Sequence, residues 1–372
     1  MTVAPAVNPA LAEQIPLVRR PKPLGLPLET RIAELTELTD WPAGADHHQQ
    51  VARASGVINV AALIASDIGL AGLAEDLCWR LHTIFTEPRD LTPDAAVMAL
   101  MPLTNIARLL IREGQPTEAY ELLQRLYRAA RQREVATIRG RNVDLSTWTC
   151  TREHHRRVCT DLWSALLIDG ARALARAGCW TRAAETIAAH RGIGTRLLDG
   201  RQIKIMSLLE QDLHPQARAL IDSTVPTETW EAPVGNLLRL SCTQARPSVP
   251  HGELESAVDT TLALMNDAEP STAAFRVRLG LTALGLAGDR STTTITQLRR
   301  AVIAAAPNDA YAARDALRNQ ALCAHLTTDQ EHELTAVLAS SGLGRRALTG
   351  DQAHDLTAAV HRAEEHLRTL LT

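Results

Sequence analysis

The stretch "REGQPTEAYELLQRLYRAARQR", Arg112 to Arg133, decides the fold, because it joins two segments of helical apolar period through a single glycine. Gly114 tolerates the positive φ of a tight helix-to-helix turn. Ala119, five residues on, is small enough for close helix approach, and Leu123 and Leu126 continue the apolar stripe. The same interval of five recurs in Gly69 with Ala74, Gly178 with Ala183, Asp212 with Ala217 and Gly252 with Ala257, and more weakly in Gly288 with Thr293. Start-to-start intervals are 45, 64, 34, 40 and 36 residues. One unit of helix, turn and second helix therefore repeats, and insertions lengthen two of its copies.

The composition agrees. The chain has 372 residues, 45% of them hydrophobic and only 3% aromatic, so its core is built from the small and branched aliphatics that suit helix-on-helix packing. Strand-like alternation is not evident, and the expected fold class is all-α. A net charge of −3 gives no global reason to expect nucleic acid or an anionic membrane as partner. Cys78, Cys150, Cys159, Cys179, Cys242 and Cys323 are scattered without a C-x-x-C pair and read as reduced core thiols. The N-terminus has no basic region leading into an apolar one, so a secretory signal is not expected and a cytoplasmic location is. The most apolar window, "VINVAALIASDIGLAGLA", is interrupted by Asn59, Ser66 and Asp67 and reads as a packed helix rather than a membrane span.

Three regions are expected. Residues 1–28 carry Pro5, Pro9, Pro16, Pro21, Pro23 and Pro27 and read as an extended arm, loosely held. Residues 29–350 hold the helical repeats, with a basic insertion over 125–157 in which nine arginines face Glu134, Asp144 and Glu153. Residues 351–372 form a terminal helix whose Leu356, Val360, Ala363, Leu367 and Leu370 share one stripe, as a capping helix needs.

The turn glycine and second-helix alanine stand in the relation found in tetratricopeptide (TPR) repeats, and residues 55 to 305 resemble that family, without its large consensus aromatics. Lysine occurs only at Lys22 and Lys204, the bias of a GC-rich genome, and the chain is similar to actinobacterial TPR-like proteins found among biosynthetic genes. The resemblance implies a helical-hairpin solenoid, superhelical, with a concave polar face. Its ligand-facing offsets fall on Asn59 and Asp67 in the first unit and on Thr104, Asn105, Arg108 and Arg112 in the second. In the third they fall on Asp169, Arg172 and Arg176, in the fourth on Asp199, Gln202 and Glu210, and in the last on Arg278.

Arginine forks on such a face pair with planar or tetrahedral anions. The blander alternative is that these charges bridge one another along helix faces. A binding protein for a peptide, a partner protein or an anionic small molecule is the expected function, in secondary metabolism. The alternative is a cofactor-independent biosynthetic enzyme, with Asp67 and Asp169 as bases and arginine holding an anionic leaving group through ring closure, elimination or rearrangement. No cofactor is expected, and the usual phosphate-loop, zincin and hydrolase motifs do not occur. Cys150, His154, His155 and Cys159 fit no established zinc spacing, so no metal is expected either. Lys204, at an offset normally apolar, is a weak nucleophile candidate for which snorkelling to the surface is the simpler reading. The basic insertion lacks interleaved aromatics and a helix-turn-helix signature, which makes nucleic acid an improbable partner. A homo- or hetero-oligomer is compatible with the sequence, and nothing in it specifies one.

Overall fold

The structure, a computed structural model, describes residues 7, 9–42, 44–87, 92–146, 151–243, 251–267 and 269–372. Helix accounts for 73% of the chain and strand for 2%, so the fold is all-α. It divides into two compact units.

The first unit comprises Pro27–Ala173 and Gly342–Thr372. The N-terminal helices proper of this unit follow a four-residue helix of the other unit, α1 (Pro9–Ala12), and begin with α2 (Leu28–Glu37), α3 (His47–Asp67) and α4 (Ala71–Thr86). Next come α5 (Pro93–Arg112) and α6 (Pro116–Gln132), the strands β1 (Val135–Ile138) and β2 (Arg141–Asp144), and α7 (Arg152–Ala165). A π-helical turn, Leu166–Gly170, leads into α8 (Ala171–Arg176), within which the chain leaves the unit. Each of α3 to α6 packs on its successor, and α7 lies against both α5 and α6.

The second unit comprises the N-terminal stretch to Leu26 and Leu174–Ser341. It contains α9 (Trp180–Ala189), α10 (Asp199–Glu210), α11 (His214–Asp222), α12 (Glu231–Thr243), α13 (His251–Met265) and α14 (Ala273–Ala287). These are followed by α15 (Thr293–Ala305), α16 (Ala310–Arg318), α17 (Gln320–Cys323) and α18 (Thr328–Ser341). The last helix, α19 (Gly350–Leu371), returns to the first unit and packs on α3 and α2 through Leu356, Val360, Ala363 and Leu367, all buried. Trp41 stacks on His366 with ring centroids 4.1 Å apart, pinning the far end of α19.

Four of the sequence pairs share one geometry. Gly69, Gly114, Gly178 and Asp212 have φ of 86, 80, 74 and 57°. At each, the next residue's N–H reaches back to the helix just ended: Leu70 to Ala65 O, Gln115 to Leu110 O, Cys179 to Leu174 O and Leu213 to Leu208 O, at 2.8 to 2.9 Å. The turn residue itself donates one residue further along, as Gly69 does to Ser66 O and Asp212 to Leu209 O. This double closure satisfies carbonyls that a helix end otherwise leaves open. The second helix then starts two residues after the turn, and Ala74, Ala119, Ala183 and Ala217, each its fourth residue, are wholly buried.

Three expectations need correction. Gly252 is the second residue of α13 and not a turn, and Thr293 opens α15 rather than sitting a turn inside it. The basic insertion contains an antiparallel hairpin, with Ala136 opposite Val143 and Ile138 opposite Arg141. Arg139 and Gly140, at φ 47 and 78°, supply the pair of positive-φ residues that a two-residue hairpin turn requires. The hairpin is tied down by Arg139, which donates to Glu75 at 3.0 Å and Glu118 at 2.9 Å, and by Arg141, whose guanidinium lies 4.9 Å from the Trp79 ring centroid. Finally, the proline-rich arm is extended from Leu17 to Pro27 but not loose. Leu11, Ile15 and Leu17 are buried core residues of the second unit.

The turn geometry makes a paired prediction. Gly114 has open space around a notional Cβ, so Gly114→Ala imposes only the left-handed backbone cost and should destabilise by about 1 kcal/mol. Asp212→Gly relieves the same cost and should stabilise by about 1 kcal/mol. Urea unfolding of both proteins measures this, and shifts of equal sign would contradict the shared geometry.

Candidate functional site

In the first unit, polar side chains from several helices meet in two sets. Asn105 on α5 donates to Asn59 on α3 at 3.0 Å, and Asn59 Nδ2 lies 3.6 Å from Met101 Sδ. Arg108, one turn beyond Asn105, donates Nη1 to Asn105 Oδ1 at 2.9 Å and both Nε and Nη2 to Asp169 Oδ2 at 3.0 and 2.8 Å. Asp169 lies in the π-helical turn, a form that recurs at functional sites. Thr104 is turned into the helix packing and donates to Met101 O.

The second set is a clamp. Asp67, at the C-terminus of α3, has a side chain only 3% exposed. Arg31 on α2 donates to its Oδ2 at 2.7 Å and Arg112 on α5 to its Oδ1 at 2.8 Å. Arg112 also donates to Ser66 Oγ at 3.1 Å. The three guanidiniums differ in setting, because Arg31 is buried while the side chain of Arg112 is 43% and that of Arg108 52% exposed. The buried Asp67 and the mostly buried Asp169 therefore hold two partly exposed arginines in fixed orientation. With a guanidinium on each oxygen, the Asp67 carboxylate is committed to charge-assisted hydrogen bonds that anchor both arginines. Arg172 lies in α8, half-buried, and Arg176 falls beyond the boundary in the second unit.

In the second unit, the ligand-facing offsets of α10 hold the chain's own arm. Gln202 is fully buried and reads both main-chain groups of one residue: its Oε1 accepts the Leu17 N–H and its Nε2 donates to Leu17 O, each at 2.8 Å. Nε2 also donates to Leu197 O at 2.6 Å. Asp199, one turn earlier and buried, pairs with Arg20. Arg19 donates to Asp267 at 2.9 Å and to Glu269 at 2.5 Å. Further along, the Lys22 N–H reaches Ser271 O, the Gly25 N–H donates to Asp309 Oδ2 at 2.8 Å, and Gly25 O accepts the Ala310 N–H. A Cβ on Gly25 would stand 2.9 Å from the Ala310 Cβ, so the arm's last anchor is a close backbone approach.

The remaining candidates have local roles. Glu210 accepts from the Thr181 N–H and hydroxyl at the start of α9. Arg278 donates to Asp315 at 2.6 Å, and Asp315 also accepts from Arg314. Burial pushes the Asp315 carboxyl up, but the charges of Arg278 and Arg314 outweigh it and hold it below its ordinary value. Lys204 lines an open cleft of about 490 Å³ with Ile193, Leu208 and Leu220. His155 engages Ala130 O at 2.9 Å and lies 3.5 Å from Cys159 Sγ, while Cys150 is outside the described residues. Among the described residues no group of three or more His, Cys, Asp or Glu side chains converges as metal ligands would. Helix α5 is long and apolar enough to cross a membrane by length and composition, and 61% of its apolar window is buried inside the fold.

Sequence reasoning missed Arg31 and the arm's Leu17, Arg19 and Arg20. Arg31 carried one signal, a charge next to Ile32 on the apolar side of an otherwise regular amphipathic helix. Comparison with known protein families, with curated proteins and with solved structures finds no match for this chain.

Removing the Asp67 charge leaves buried Arg31 without its carboxylate, so Asp67→Asn should lower stability by about 3 kcal/mol, whereas Arg112→Ala should cost less than about 1 kcal/mol. Chemical denaturation of the two variants compares them directly. The depressed Asp315 pKa adds stability that is complete above the ordinary carboxylate range and is lost as pH falls through the folded value. Thermal unfolding between about pH 5 and pH 2 should therefore fall more steeply for the wild type than for Asp315→Asn.

Proposed function

We propose that the chain is a TPR-like helical-hairpin repeat protein that binds a partner and does not transform it. The hairpins wind into a solenoid whose inner face is polar, and that face takes a carboxylate-bearing peptide, a partner protein or a small anion. What supports the repeat reading is the turn geometry shared by Gly69, Gly114, Gly178 and Asp212, together with a buried alanine at the same place in each second helix.

The single observation that carries the binding reading is the state of Arg108 and Arg112. Asp169 and Asp67 anchor them from below, and their heads are about half exposed. Arg112, held through Nη1, presents its remaining donors without the entropy cost of ordering a free side chain, and Arg108, held through Nε, Nη1 and Nη2, is fixed beside it with one further hydrogen on each Nη, the arrangement an anion receptor needs. The enzyme alternative has less support, because each oxygen of the buried Asp67 carboxylate already accepts from an arginine and Asp169 is held by Arg108, so both candidate bases are committed to anchoring. A setting in actinobacterial secondary metabolism belongs to the same proposal and rests on the arginine bias and the repeat resemblance.

The test is fluorescence anisotropy with a panel of acidic peptides at several salt concentrations. Binding that weakens with salt, and weakens about tenfold in Arg108→Ala and again in Arg112→Ala, is the expected result. Ligand recovered with altered mass after incubation, or affinity indifferent to both arginines, would overturn it.

A further inference from the structure

A chain segment held only by packing would be gripped through its side chains, and its main-chain groups would be left to solvent. The arm of the second unit is held differently. At Leu17 both the N–H and the C=O are taken by the amide of one fully buried glutamine, and at Gly25 the N–H goes to Asp309 and the C=O to the Ala310 N–H. Lys22 adds a third point, its N–H donating to Ser271 O. This is readout of an extended backbone at three points, the same logic by which a strand is recognised at a sheet edge, performed here by helix side chains and helix ends. Between these points, side-chain charge selects the sequence: Asp199 takes Arg20, and Asp267 with Glu269 takes Arg19. Leu17 fills an apolar position ahead of the arginine pair and is buried.

We propose that this cradle is a peptide-binding site, occupied in cis by the arm, and that its partner in trans is an extended segment of another protein carrying an apolar residue followed by paired arginines. Three carboxylates facing two arginines supply the charge complementarity that defines the ligand class. Leu17 sits two residues before the first arginine, and that interval fixes the register. The arm competes at the effective concentration of a tethered segment, roughly millimolar, so it sets a threshold that a partner must exceed. This site is separate from the Arg108 and Arg112 face and would bind ligands of the opposite charge.

The experiment uses the full chain with the arm's charge reversed, Arg19→Glu with Arg20→Glu, and the cradle untouched. Its probe is a fluorescein-labelled peptide of residues 13–26, EQIPLVRRPKPLGL. The arm-reversed protein should bind the peptide at least about 100-fold more tightly than the wild type, whose own arm excludes it. Adding Gln202→Leu to the arm-reversed protein should weaken binding at least about tenfold, and a peptide with glutamate at both arginine positions should not bind. Circular dichroism and size-exclusion chromatography establish that the protein is folded and monomeric. If charge reversal unfolds it, Arg20→Ala replaces it and the same comparisons are made.

Absence of binding to the folded variant would overturn the proposal, as would affinity indifferent to Gln202. Equal binding by wild type and variant would remove the gating role. A variant that dimerises through exchanged arms would show the partner to be a second copy rather than a foreign segment. None of these outcomes bears on the anion-binding face, which is read by the acidic peptides alone.

Discussion

A helix that ends in a residue at positive φ can return its next two N–H groups to its own last carbonyls and reverse the chain within three residues. Four such closures, at Gly69, Gly114, Gly178 and Asp212, set the spacing of the hairpins. The constraint is stereochemical before it is energetic. Only glycine adopts this conformation freely, and a short polar residue such as aspartate tolerates it at modest cost. Once the turn is fixed, the fourth residue of the next helix lies against the helix before it, where alanine fits and a longer side chain would not. The wholly buried Ala74, Ala119, Ala183 and Ala217 follow from that closeness.

The same spacing brings polar residues of successive first helices within hydrogen-bond reach. In the first unit it produces a ladder from Asn59 through Asn105 to Arg108 and Asp169, and beside it the Arg31, Asp67 and Arg112 clamp. In the second unit the equivalent positions of α10 turn to main chain, and Gln202 and Asp199 hold the arm. The two proposals accordingly differ in chemistry: arginines held by Asp67 and Asp169 are proposed to meet anions, and the carboxylates beside the buried Gln202 amide an extended basic segment.

Much of the helical architecture could be read from local sequence, because glycine at a helix end, alanine at a close contact and leucine at helical spacing each act over a few residues. Asp212 was readable as a glycine substitute for the same reason. The β-hairpin was not, since its strands are four residues each, too short to show alternation among the arginines of residues 125–157. Yet Val135, Thr137 and Ile138 are β-favouring, and Arg139-Gly140 is a turn pair. Prolines in the arm correctly excluded helix through most of it, but proline says nothing about burial. The arm's fate depends on Gln202, 185 residues away from Leu17, and no local pattern encodes that pairing. The Arg31 partnership with Asp67 was hidden in the same way, by a sequence separation of 36 residues.

The central claim is that helix side chains read the arm's backbone at discrete points, and residue-resolved hydrogen exchange tests it most directly. The account predicts slow exchange at the amides of Leu17, Lys22 and Gly25, with the Leu17 amide becoming fast in Gln202→Leu. Uniformly fast exchange across residues 15–26 in the wild type would contradict it.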